Sequence, residues 1–157
     1  MYTPSSSSHS PIIGWAYDGY PIYGPYGYSS ANSSSSSIKL IATSYHLRSI
    51  TARTSLANGT VLTSTYYGPT INSTYPLGSY LEDYEYTSGY GDLDAYNGRW
   101  CVTPEYPSGT YAYFIPVDSS LTPQYPYTIG PYFYGTITAP STSATIPSTA
   151  TKYFSYI

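Results

Sequence analysis

Residues 110–115, TYAYFI, decide how this chain is read. In an extended segment, alternate side chains point to opposite faces. Here both faces are aromatic or apolar, which suits a strand covered on both sides. Outward from it, tyrosine, threonine, isoleucine and valine dominate five further stretches: 38–46 (IKLIATSYH), 60–67 (TVLTSTYY), 79–86 (SYLEDYEY), 99–103 (RWCVT) and 132–138 (YFYGTIT). These compositions favour strands. Thirteen glycines and fourteen prolines punctuate the chain at short intervals, and no stretch carries an uninterrupted helical period. The expected fold is all-β: one compact domain over residues 9–138, built of many short strands and Gly/Pro turns. It would be sandwich- or barrel-like, with no substantial helix.

Three segments stand outside that domain. Residues 1–8 (MYTPSSSS) are Ser-rich and lack the charged and apolar regions of a signal peptide. Residues 139–151 (APSTSATIPSTAT) read as an extended Ser/Thr/Pro linker with little to bury. Residues 152–157, KYFSYI, have the pattern of a strand again. A strand tethered beyond a linker needs a sheet, its own or a neighbour's. Lys152, Tyr153, Phe154, Ser155, Tyr156 and Ile157 are therefore the candidate assembly strand.

Composition narrows the function. Charged residues are 8% of the 157, far below the usual quarter. Solubility must come instead from 26 serines, 20 threonines and the hydroxyls of 24 tyrosines. An aromatic content of 18% argues against disorder. Net charge is −3, and Lys39, Arg48, Arg53, Arg99 and Lys152 are scattered, so no nucleic-acid partner is expected. No apolar run approaches the ~20 residues that span a bilayer, so no transmembrane segment is expected. The single cysteine, Cys101, permits no internal disulfide and reads as a buried small hydrophobe.

The polar residues suggest sites of different specificity. Asn32, Asn58 and Asn72 sit in N-x-Ser/Thr acceptor sequences, three of only four asparagines. Each falls in an expected loop or strand end, where a glycan can project. Glu82, Asp83, Glu85, Asp92 and Asp94 lie close together in EDYEYTSGYGDLD. They are candidate oxygen ligands for Ca²⁺, although no full EF-hand loop is present. The plainer reading is a turn held by Asp side chains on backbone N–H groups. Paired carboxylates would also suit glycoside hydrolysis, but sequence sets no separation between them. His9 and His46 match no local ligand spacing, and no nucleophile motif occurs. No catalytic residue is assigned.

The stretch 9–27 (HSPIIGWAYDGYPIYGPYG), the long block 80–114 around YLEDYEYTSGYGDLDAYNGRW, and 125–135 (YPYTIGPYFYG) together resemble the YHYH domain family, in order. SYHLRS at 44–49 resembles the stretch between its first two blocks. The resemblance implies an all-β, secreted domain without a settled activity. The acidic residues Asp18, Glu82, Asp83, Glu85, Asp92, Asp94 and Glu105 match the family pattern. Two departures stand out. The Tyr-His-Tyr-His motif, expected upstream of His9, is absent, so no metal role of those histidines carries over. Tyr96 stands where the family tends to have cysteine.

The functional expectation is an extracellular, glycosylated structural protein. It would be a subunit of a surface assembly or filament, joined to copies of itself by head-to-tail contacts and strand addition. Alternatives are a secreted carbohydrate- or surface-binding module stacking sugars on tyrosine, and a metal-dependent secreted enzyme using the acidic cluster.

Overall fold

The computed structural model describes residues 2–137. Its centre is a four-stranded sheet. Strand β1 (Ile12–Trp15) pairs antiparallel with β2 (Pro21–Tyr23), and a bulge lies between Ile12 and Gly14. Two antiparallel ribbons follow in the chain: β3 (Tyr26–Tyr28) with β4 (Ile38–Leu40), and β5 (Tyr45–Leu47) with β6 (Tyr84–Tyr86). Strands β7 (Gly98–Cys101) and β8 (Thr110–Phe114) complete the central sheet in the order β1-β2-β8-β7, with β2 and β8 parallel. The fold is all-β, and among the described residues the only helical pieces are 3-10 turns at Ser64–Tyr66 and Leu81–Asp83. The strands do not close into a barrel.

Strand β8 is the segment that TYAYFI announces. Ala112 and Phe114 pack on one face with Tyr23, Ile41, Leu93 and Cys101. Tyr111 and Tyr113 pack on the other with Ala16, flanked by Tyr20, Ile22, Ile129 and Phe133. Tyr111 through Phe114 have no exposed surface. Burying a side chain of this size contributes roughly 1.5–3 kcal/mol.

A tyrosine core carries hydroxyls that need partners. Tyr111 donates to the Asp94 carboxylate at 2.9 Å. Tyr113 donates to Asp18 Oδ2 at 2.6 Å. Tyr23 Oη reaches Thr103 Oγ1 at 2.8 Å and Glu105 Oε2 at 2.9 Å. Burial pushes all three phenols far above their usual range, and the adjacent carboxylates push the same way. Asn97, buried with φ +62°, donates Nδ2 to the carbonyls of Phe114 and Thr128. It ties the end of β8 to the segment that follows.

Several expected strands are shorter or absent, each for a nameable reason. The stretch 38–46 divides into β4 and β5, because Asp92 binds both backbone groups of Ala42: its carboxylate accepts the Ala42 N–H and its N–H donates to Ala42 O. In 60–67 only Val61 pairs, in an isolated bridge to Ser55, and exposed residues 63–67 turn into a 3-10 segment. In 79–86 the Asp83 carboxylate accepts the N–H groups of Gly78 and Tyr80, which bends the chain before β6 begins. At 132–137 no strand forms. The N–H groups of Tyr134 and Gly135 donate to Tyr113 Oη and Asp18 Oδ2, so side chains occupy the donors a ladder would use. Conversely, β1, β2 and β3 all lie in the Gly- and Pro-rich residues 9–28, where no strand is expected from sequence. Pro21 is compatible with β2 because it is the strand's first residue.

Candidate functional site

The three sequon asparagines are all exposed. Asn32 lies in the Ser-rich loop that joins β3 to β4, closed by Ser29 N–H to Ser37 O at 2.8 Å. Asn58 lies at the tip of a tight turn, where its Oδ1 accepts the Thr60 N–H at 2.9 Å. Asn72 Oδ1 accepts the N–H groups of Thr74 and Tyr75 at 2.8 and 3.0 Å. These are local Asx turns. In both, the amide nitrogen Nδ2 has no hydrogen-bond partner among the described residues.

The acidic residues, close in sequence, are taken to separate places. Asp83, fully buried, receives Arg53 Nε and Nη2 at 2.7 and 2.8 Å. That guanidinium holds its carboxyl below the usual carboxylate range, against the opposing effect of burial. Asp92 pairs with Lys39 Nζ at 2.8 Å. Asp94 accepts the N–H groups of Tyr96 and Gly98 as well as the Tyr111 hydroxyl. Glu82 accepts the Ala57 N–H at 2.7 Å, and Glu85 lies 3.9 Å from His46 Nδ1. Among the described residues, no group of three or more His, Cys, Asp or Glu side chains is placed to hold an ion.

The histidines do different things. His46 bonds Thr87 Oγ1 at 3.0 Å and packs on Tyr90 with ring centroids 4.3 Å apart. His9 is half-buried among Tyr23, Tyr28 and Phe114, with Nδ1 on its neighbour's carbonyl, Ser10 O. Its Nε2 is buried without a partner, and desolvation lowers its pKa, against the raising effect of that carbonyl. Cys101 is buried, and burial pushes its thiol up, which makes it a poor nucleophile.

Two surfaces remain. The first is the outer edge of β1, where Ile13 and Trp15 are 45% and 58% exposed. The second is an open cavity of about 410 Å³ beside the β5–β6 ribbon. Tyr84, Tyr86, Tyr125 and Tyr132 line it with Glu82 and Asn58. Tyr84 stacks on Tyr125 at 4.3 Å, and Tyr45, packed edge-on to Tyr125, is pushed up to about 12, chiefly by burial. Sequence reasoning missed this groove because 45, 58, 84, 125 and 132 meet only in the fold. The alternation of Tyr84 and Tyr86 on one face of β6 was its one local sign.

Fold and surface together define a tyrosine-rich all-β domain whose carboxylates serve its own hydroxyls, N–H groups and cations. The chain matches the family described as YHYH protein over residues 1–130, and it belongs to that family. No curated protein and no solved structure matches it. No helix of the described residues is long and apolar enough to cross a membrane.

Proposed function

We propose that this chain is an extracellular, glycosylated structural subunit that joins copies of itself into a surface assembly or filament by strand addition. The observation that carries this reading is the edge of β1. The far edge of the sheet is covered at both ends, since Asp94 N–H bonds Gly98 O and Val102 N–H bonds Ala31 O. Among the described residues, β1 has no backbone partner beyond β2. It carries no charge and no proline, two of the guards of an edge strand, and keeps two others, short length and a bulge. Its bulge and short length leave room for a short partner only, which suits a six-residue donor such as 152–157. That donor and the linker 139–151 lie outside the described residues.

The exposed sequons support the glycoprotein part of the reading. Attachment forms a bond from asparagine Nδ2 to the anomeric carbon of an activated sugar donor, with loss of the donor's phosphate leaving group and one amide proton. Sugar would then supply the solubility that charge does not. Electron microscopy of the full chain beside one lacking 139–157 tests the assembly. Filaments from the first and monomers from the second are expected; equal assembly of both would sink strand donation.

The tyrosine groove favours a second reading, a carbohydrate-binding module. Retention of free glycans on an array, in the absence of any assembly, would prefer it.

A further inference from the structure

We infer that the tyrosine groove is occupied by the chain's own sugar: the glycan on Asn58 folds back onto the aromatic faces beside it. This rests on the reading of Asn58 as a glycosylation site. The turn that carries Asn58 is closed by backbone hydrogen bonds. Leu56 N–H donates to Thr60 O at 2.9 Å, Gly59 N–H donates to Leu56 O at 3.0 Å, and the Ser55–Val61 bridge closes the loop. Gly59 takes φ +86° there, a conformation that favours glycine. The Oδ1 bond to Thr60 then fixes the Asn58 side chain and leaves Nδ2 to the sugar.

Asn58 is itself part of the cavity wall, so a sugar on it starts beside the groove. A volume of about 410 Å³ is in the range of small-ligand clefts. The wall presents what a pyranose needs. Its apolar C–H face can lie on a tyrosine ring, and Tyr132 offers one that is 77% exposed. Its hydroxyls can donate to Glu82 and Glu85. A covalently held ligand has already lost most of its translational freedom, so weak stacking suffices to dock it. Asn32 and Asn72 are not on this wall and serve as internal controls.

The test uses the full chain secreted by an N-glycosylating host. Glycopeptide mass spectrometry measures occupancy at Asn58 and Asn72, and timed digestion of the native protein by a peptide N-glycosidase measures release. The Asn58 glycan should leave roughly two- to tenfold more slowly than the Asn72 glycan, as stacking of ordinary strength implies. Denaturation should erase the difference. Tyr132→Ala should also erase it with Asn58 still occupied, whereas Tyr132→Phe should preserve it. An occupied Asn58 released at the Asn72 rate, or indifference to Tyr132→Ala, overturns the docking. An unoccupied Asn58 instead overturns the glycosylation reading beneath it.

Discussion

Between residues 98 and 114 the chain buries tyrosine and phenylalanine on both faces of a sheet, whereas between 48 and 83 it buries two arginines and pairs strands only at the Ser55–Val61 bridge. In the second region guanidinium groups do the work of a ladder. Arg48 donates to the carbonyls of Ser55 and Glu82, and Arg53 to those of Pro69, Tyr75 and Pro76. Asp83 neutralises Arg53 and also caps its own 3-10 turn. A loop region with no buried apolar core can thus tie down five of its carbonyls through two side chains. The aromatic half has the opposite design, in which packing dominates and hydrogen bonds finish the tyrosine tips.

That difference predicts different failures. Phe114→Ala should cost roughly 3–5 kcal/mol by denaturant titration, because it opens a cavity at the centre of the sheet. Loss should be global, since Phe114 touches the shared core. Asp83→Asn should leave Arg53 buried with its charge unbalanced, and amide exchange should speed selectively across 48–83 while β7 and β8 stay protected. Equal acceleration everywhere would erase the distinction between the two halves.

Alkaline titration should separate the two regions again. The buried phenols of Tyr23, Tyr111 and Tyr113 have folded pKa values raised above the unfolded value near 10. The unfolded state therefore releases those protons first. Their contribution is complete below pH ~10 and is lost as pH rises above it. Absorbance at alkaline pH should show the core phenols ionising only as the protein unfolds. Tyr111→Phe should cost about 0.5–1.5 kcal/mol at neutral pH, the value of one hydrogen bond.

The smallest effect belongs to His9. Its folded pKa is lowered below 6.5, so the unfolded state binds the extra proton first. Stability from this residue is intact above pH ~6.5 and falls as pH drops below it. His9→Gln should flatten the denaturation midpoint between pH 7.5 and 5.5 by a shift smaller than that of Tyr111→Phe, about a few tenths of a kcal/mol.

Much of the aromatic half is legible in sequence, and little of the arginine half is. TYAYFI announces a doubly covered strand because its information is local: alternation along six residues. RWCVT marks β7 for the same reason. The strand expected at 60–67 is reduced to the Val61 bridge, and the one at 79–86 holds only in β6, because Asp83, which pairs with Arg53 30 residues away, bends the chain before it. The acidic block reads as a cluster only along the chain; in space Lys39, Arg53, Tyr111 and the Ala57 N–H each claim a member. The sequons were the clearest signal at the surface, since acceptor spacing is local and their exposure follows from the turns that hold them.

The proposed assembly depends on strand donation to β1 by another copy. Amide hydrogen exchange at β1, measured on the full chain and on the chain lacking 139–157, tests it most directly. The β1 amides facing away from β2 should exchange slowly in the full chain and fast in the shortened one, with β8 equally protected in both. Fast exchange of those amides in both chains would contradict it.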